Sequence, residues 1–514
     1  MNTWQACIYL QFLVDLCFHF QFEASPLRLK YPMKPITHCI SFLFVCTTLG
    51  LCAQERPNVL FILADDLGWK DTGFMGSDYF ETPNLDQLAS ESMVFTQAYA
   101  GAANCAPSRA CLMTGQQSPR HGIYTVSPSD RGNAVTRKLI PIKNIDGLDD
   151  EDQTIAELLR GLGYQTCQAG KWHLGDDSRS QGFDRNIGGW NTGSPKGGYF
   201  APWDNPFLES GPDGEYLTDR ITIEALTWLK DRDENRPFFL YLPYYAVHTP
   251  LQAKPELIEK YKKKGPRGNV DNPVYAGMVD NMDTQIGRVL DYLDNENLKE
   301  NTLIVFSSDN GGIRAVAPQD PLRAGKGSYY EGGIRIPMTV SWPGHIQPGV
   351  NTHTVTTFVD WLPTIASLLD QERPAGALDG IDFSPVLQGN GELEERSLFF
   401  HFPIYLQTYN PREDDGRDPL FRTRPGSVIR KGNWKLHEYF EDGALELYNL
   451  SSDLGEKNNV IKSHPAVAKE LYEELKAWRK SIHAPVPTKA NPEYDPVKAA
   501  DFLMKTLIAG GRAH

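Results

Sequence analysis

Three short apolar runs punctuate the chain, at residues 58–64 (NVLFILA), 237–242 (PFFLYL) and 302–306 (TLIVF). Runs of this length without polar alternation predict strands buried on both faces, the kind that build a parallel sheet. Between them the pattern changes to helical spacing. Thr154-Ile-Ala-Glu157 reads as a capping box and predicts a helix over 155–162, stopped by Gly163. A longer helix is predicted over 278–293. Alternating strands and helices predict an α/β fold with helices on both faces of the sheet. In such folds ligands bind beyond the carboxyl ends of the strands. After about residue 395 the character changes. Alternating segments at 428–429, 434–437 and 445–448, split by Gly432 and Asp442-Gly443, predict a small antiparallel sheet. A helix over 466–478 follows it. The expected organisation is an N-terminal extension (1–53), a large α/β body (54–395), a C-terminal subdomain (396–490) and a tail (491–514).

Composition narrows the class. At 514 residues, 40% hydrophobic and 23% charged, the chain is neither disordered, collagenous nor a coiled coil as a whole. A net charge of −14 argues against nucleic-acid binding through a general basic surface. An anionic substrate therefore requires a local cationic pocket. Residues 34–53 begin with Lys34, continue through the apolar stretch 40–52 and end in Ala53-Gln54. That order predicts a secretory signal peptide, translated from Met33, cleaved near Ala53 and too short for stable membrane insertion. A buried segment or an uncleaved anchor is the alternative. The chain is expected to be exported, periplasmic or secreted. Of 8 cysteines, Cys105, Cys111 and Cys167 lie in the body, too few for a disulfide framework. Cys111 and Cys167 are expected to be buried apolar residues.

Two predicted strands end in clustered carboxylates: Asp65-Asp66 after the first, and Ser308-Asp309-Asn310-Gly311 after the third. If these strands are neighbours, the oxygen ligands converge on Ca²⁺ or Mg²⁺ rather than zinc. Helix capping or turn formation is the plainer reading of the same residues. Cys105-Ala-Pro-Ser-Arg109 precedes a run ending at Gly115. Pro107 fits the first turn of a helix, which places Cys105 just ahead of a helix N-terminus, where a thiol pKa is depressed. Arg109 is expected to fold back toward residue 105. A small apolar cysteine is the alternative.

The Cys-Ala-Pro-Ser-Arg motif with its Leu112-Met-Thr-Gly115 sequel resembles the signature of the type I sulfatases. Further blocks resemble that family in the same order: residues 57–68, 163–175, 247–250, 308–311, 326–337, and 447–450 with Asp453 and Glu456. The resemblance implies an alkaline-phosphatase-like mixed sheet flanked by helices, with a smaller C-terminal antiparallel sheet plus helix. It makes 54–395 the catalytic domain. It implies that Cys105 is oxidised to formylglycine by a maturation enzyme, and that the hydrated aldehyde attacks sulfur through one hydroxyl and expels sulfate through the other. Asp65, Asp66, Asp309 and Asn310 match the ligands of one Ca²⁺ that also holds residue 105. Asp309 would help activate the attacking hydroxyl and Arg109 would fix and polarise the diol. Lys171 would bind sulfate and His173 would take the proton that releases it. Lys326 and His248 face the leaving-group oxygen, with His248 as general acid. His121 is assigned a weak supporting role and Trp172 a packing role.

The implied reaction is hydrolysis of sulfate esters on a sulfated polysaccharide or small aryl sulfate. A phosphonate or phosphate diester hydrolase of the same superfamily is one alternative, and a non-catalytic sulfated-glycan binding protein another. Substrate-facing candidates lie in 188–206 (Trp190, Tyr199, Phe200, Trp203) and in 399–424 (His401, Tyr405, Tyr409, Arg412, Arg417, Arg422, Arg424). Ordinary loop packing is their alternative.

Overall fold

The computed structural model describes residues 56–509. The signal-peptide reading of 34–53 lies outside them. The main sheet is built from β1 (Asn58–Ala64), β2 (Met93–Tyr99), β3 (Gln165–Ala169), β4 (Arg185–Ile187), β5 (Phe238–Pro243), β6 (Thr302–Ser308), β7 (Arg335–Ser341), β8 (Gly349–Asn351) and β9 (Thr356–Thr357), in the order β4-β3-β5-β1-β6-β7-β2-β8 with β9 beside β2. β4, β3, β5, β1 and β6 run parallel. β7 is antiparallel to both β6 and β2, so the sheet is mixed.

The unbroken apolar run of β1 has a direct cause. Leu60 and Ile62 face one side, in a cluster with Met278, Met282 and Ile286. Val59, Phe61 and Leu63 face the other, with Trp361, Leu362 and Ile365. Both faces are covered by helices, so every position after Asn58 is apolar. The expected capping box is present: Thr154 N donates to Glu157 Oε2 at 3.0 Å, and Glu157 N to Thr154 Oγ1 at 3.1 Å. It opens the helix Ile155–Gly161. The helix expected over 278–293 spans Pro273–Asn295. Its start is set by Asn272, whose side chain accepts from Tyr275 N at 3.1 Å, with Pro273 in the first turn.

The C-terminal sheet has β10 (Ser397–Phe402), β13 (Gly426–Lys431), β14 (Trp434–Tyr439) and β15 (Leu445–Asn449), all antiparallel. Between the first two, β11 (Leu406–Gln407) and β12 (Phe421–Thr423) form a separate ribbon. The helix Pro465–Ser481 covers one face, where Leu471 and Leu475 meet Ile429, Leu436 and Leu447. On the other face Phe400, Phe402 and Val428 meet Tyr99, Tyr329 and Ile334 of the main body. Buried Lys435 bridges Glu331 at 2.9 Å and Glu456 at 3.0 Å, tying this sheet to the segment after Lys326. Residues 496–509, expected as tail, form the helix Pro496–Ala509, with Phe502 and Leu503 against Tyr405, Leu420 and Phe421. Among the described residues no helix is long and apolar enough to cross a membrane.

His401 belongs to this packing. Its Nδ1 lies 2.8 Å from Ser427 Oγ and its Nε2 2.8 Å from Pro485 O. Burial pushes its pKa down to about 3. The folded value is below the unfolded one, so its contribution is present above about pH 6.5 and is lost as pH falls toward the folded value. Below pH 6.5 this residue should cost about 1.4 kcal/mol of stability per pH unit. We expect His401→Gln to flatten the fall of Tm between pH 6.5 and 4.5; an unchanged slope would refute the assignment.

Candidate active site

Adjacent strands deliver the site. Ala64 is in register with Ser308, so Asp65 and Asp309 leave β1 and β6 side by side. Asp309 N donates to Ala64 O at 3.0 Å, Asp66 N to Asp309 Oδ1 at 3.1 Å, and Leu67 N to Ser308 Oγ at 3.0 Å. Asp66 pays for its place with φ of 63°, the left-handed region. On the other flank, Lys171 N donates to Pro243 O at 2.7 Å, which sets the segment after β3 against the end of β5. Gly170 permits that approach: its φ is +124°, and a Cβ there would lie 2.0 Å from Pro243 O.

Cys105 is the first residue of the helix Cys105–Thr114 rather than the residue ahead of it; Asn104 is the N-cap. Gly115 ends the helix in the left-handed conformation, as the sequence predicts. The loop before Cys105 is tied to the loop carrying Lys326, since Gly327 N donates to Ala103 O at 2.7 Å.

The side chains converge tightly. Cys105 Sγ lies 3.4 Å from Asp65 Oδ1, 3.7 Å from Asp66 Oδ1 and 3.1 Å from Lys326 Nζ. Lys326 Nζ donates to Asp66 Oδ2 at 2.7 Å, and Lys171 Nζ to Asp65 Oδ2 at 2.6 Å. Arg109 does not bond residue 105. Its Nε donates to Asp309 Oδ2 at 2.9 Å and its Nη1 to Lys171 O at 2.8 Å, so it acts on the site through Asp309 and the Lys171 backbone. All these groups are buried.

Ligand atoms of Asp65, Asp66, Cys105 and Asp309 all lie within 4.8 Å of one another. Asn310 Nδ2 donates to Asp66 Oδ1 at 2.8 Å, while its Oδ1 is buried without a hydrogen-bond partner. A buried amide oxygen left unpaired beside three carboxylates is the donor set of a hard cation. The residues therefore fit Ca²⁺.

Electrostatics separate the roles of the ionisable groups. Burial and Cys105 raise the Asp65 carboxyl well above its usual range, against Lys171. Burial would raise Asp66 too, but Lys326, His248 and Lys171 together hold it well below. Lys326 is raised despite burial, by Asp66 and Cys105, and keeps its proton. His173 is lowered well below its ordinary value by burial and then by Lys171, Arg109 and Lys326. His248 is lowered by burial and Lys326, with Asp66 pulling the other way. His248 Nδ1 lies 2.6 Å from Thr249 O, which only accepts, so Nδ1 carries the proton. Its Nε2 faces Asp66 Oδ2 at 3.6 Å.

Above Cys105 opens a cavity of about 470 Å³, with His173, His248 and Lys326 in its wall. Gly193 makes room for the His173 ring: a Cβ there would lie 2.4 Å from Cε1. Of the expected substrate-facing aromatics, few reach the cavity. Tyr199 is buried, and its hydroxyl donates to Tyr245 O at 2.7 Å and His248 O at 2.8 Å, so it holds the His248 backbone. Trp203 and Tyr405 are core residues, and Phe200 packs beside that core. Trp190 lies under Lys196 Nζ, 4.5 Å from its ring centroid. Arg412 donates to Leu507 O at 2.8 Å, and Arg417 pairs with Asp442 at 2.7 Å. Arg424 pairs with Asp418 at 2.6 Å and Glu441 at 2.8 Å. From the 399–424 segment only Tyr409 and Arg422 line the cavity. Asn191, within the 188–206 segment though not singled out there, also lines it, as does Arg131, which lies outside both candidate segments.

His121 lies away from this centre, 3.6 Å from Cys111 Sγ, with Nδ1 accepting from Ile123 N at 3.2 Å. Cys111 is buried, with its thiol pushed up to about 12, and Cys167 is buried as well. Trp172 packs edge-on against Phe183.

A family model described as Sulfatase matches residues 57–371, and one described as N-sulphoglucosamine sulphohydrolase, C-terminal, matches residues 325–481. The chain is 32% identical to a sulfatase of Formosa agariphila, over 88% of this chain and 94% of that one. It is 32% identical to human arylsulfatase A, over 84% of this chain and 89% of that one. Among solved structures it resembles Ps i-CgsB in complex with k-i-k-neocarrahexaose, with a TM-score of 0.69, 30% identity, and coverage of 88% of this chain and 98% of that one.

Proposed function

The chain belongs to the sulfatase family and is a sulfuric ester hydrolase, and from that premise we propose that it desulfates a sulfated carbohydrate, with Cys105 converted to formylglycine and one Ca²⁺ per chain. The observation that carries this reading is Cys105 Sγ, set 3.4 Å from Asp65 and 3.1 Å from Lys326 at the floor of a cavity that holds both histidines.

Formylglycine supplies, as its hydrate, one hydroxyl to attack sulfur and a second whose loss of a proton expels sulfate. Ca²⁺, held by Asp65, Asp66, Asp309 and Asn310, supplies the charge that favours a deprotonated hydroxyl and screens the sulfate. The chain's own residues do the rest. Asp309, fixed by Arg109, orients and deprotonates the attacking hydroxyl. Lys171 and Lys326 give the acidic protein a locally cationic floor for the anionic group. Sulfate arriving beside His248 favours its charged form, so Nε2 gains the proton that the departing alcohol oxygen needs. His173, held neutral, is the base that takes a proton as sulfate leaves. The signal-like segment 34–53 supports export, after a maturation enzyme has acted on Cys105.

The experiment is a comparison of kcat/KM for an aryl sulfate, a sulfated oligosaccharide and an aryl phosphodiester. Sulfate esters should lead the phosphodiester by about 100-fold or more. The opposite order would give the site to a diester hydrolase, and binding without turnover would make it a glycan-binding protein.

A further inference from the structure

The cavity above Cys105 holds two guanidinium groups that the reaction does not use. Arg131 and Arg422 both line it, together with Tyr409. Arg422 Cζ stands 3.5 Å from the Tyr409 ring centroid, which fixes the guanidinium plane by stacking. Its Nε donates to Gln407 O at 2.9 Å and its Nη1 to Lys326 O at 2.9 Å, which leaves Nη2 without a protein acceptor among the described residues. Arg131 makes one hydrogen bond through its guanidinium, from Nη2 to Ser127 O at 3.0 Å, and its other nitrogens have no acceptor among the described residues.

Neither arginine has a carboxylate within 4.0 Å among the described residues. Arg417 and Arg424, on either side of the strand that carries Arg422, are both paired. Asp146, the carboxylate in the cavity wall, is engaged instead by Asn144 Nδ2 at 3.1 Å. The two cations also feel each other: burial and then Arg422 lower the pKa of Arg131. In a chain with net charge −14, carboxylates are plentiful. A buried and a half-buried arginine left without one, at a single cavity, are costly unless an anion joins them.

We propose that Arg131 and Arg422 form a second anion subsite, which takes a sulfate or carboxylate group of the substrate other than the ester being cleaved. Resting on the sulfatase reading above, this makes the substrate class a polyanionic glycan: a sugar with a second sulfate, or one joined to a uronate. Both anions offer oxygen acceptors for charge-assisted hydrogen bonds from Nη2 of Arg422 and the guanidinium nitrogens of Arg131 left free among the described residues.

The test uses the full-length matured enzyme and three oligosaccharide series: one sulfate and no other anion, two sulfates, and one sulfate beside a uronate. The readout is the ratio of kcat/KM for each dianionic series to that for the singly charged one. Wild type should favour at least one dianionic series, and which one it favours names the anion. Arg131→Gln should lower that ratio about 10- to 100-fold, the loss of a charge-assisted contact. Arg422→Gln should lower it as well, although this arginine also holds the Lys326 carbonyl. Damage to the fold would lower both rates and leave the ratio alone. A wild-type ratio near one, or an unchanged ratio in both variants, overturns the subsite while leaving the sulfatase reading intact. A matured wild type that turns over no sulfate ester overturns both.

Discussion

Cys105→Ala should lower sulfate-ester turnover by at least about 10⁴-fold, the size expected when a covalent nucleophile is removed. The substitution is mild for the fold. Cys105 opens a helix and is 1% exposed, and the hydrogen bonds of Lys171 to Asp65 and of Lys326 to Asp66 do not involve it. Alanine suits a helical position, so Tm should move by only a few degrees. The loss of activity is therefore not a loss of structure. The companion measurement is a peptide mass spectrum of active wild type, in which residue 105 should carry an aldehyde in place of the thiol. Protein made without its maturation system should retain the thiol and be inactive. Full activity from a preparation with only unmodified cysteine at 105 would sink the mechanism.

What the sequence made legible follows from how each feature is encoded. The strands carrying the carboxylates stood out because both faces of the sheet are covered, which forces unbroken apolar runs such as 58–64. Strand adjacency then followed as a condition, and the register of Ala64 with Ser308 meets it. His248 and Lys326 are isolated residues in irregular segments; they were readable only through their motifs. Tyr199 and Trp203 went the other way: an aromatic in a loop has the same composition whether it stacks on a sugar or fills the core. Arg131 had no signal at all, because it sits in a long irregular stretch and reaches the cavity by tertiary folding. Arg109 was placed at the site, where its hydrogen bonds go to Asp309 and the Lys171 backbone. Spacing along a helix brings it near residue 105, yet a buried guanidinium goes to the carboxylate that neutralises it, here Asp309 at 2.9 Å.

Asp309→Asn should remove both Ca²⁺ binding and activity, with turnover down about 10³-fold. Asparagine is the informative choice. Asp309 Oδ1 accepts from Asp66 N and Oδ2 from Arg109 Nε, so alanine would strip a buried guanidinium of its close carboxylate, leaving only Asp65 at 3.8 Å, and cost about 3 kcal/mol of stability by itself. Asparagine keeps the shape and one acceptor while withdrawing the charge a hard cation requires. The readout is thermal as well as catalytic, because a cation bound only by the native state stabilises it by mass action. At 100 times Kd the gain is about 2.7 kcal/mol. Wild type should therefore gain Tm as Ca²⁺ is titrated into chelator-treated protein, and Asp309→Asn should not. Asp71→Asn supplies the control. That carboxyl is also buried, with its pKa raised to about 6 by burial, but it bonds Tyr275 Oη at 2.7 Å and Gly68 N at 3.0 Å outside the ligand set. Its variant should keep the Ca²⁺-dependent rise even if its baseline Tm shifts. If wild type shows no such rise, or Asp309→Asn shows the same rise as wild type, the four oxygen ligands at the ends of β1 and β6 do not hold the metal.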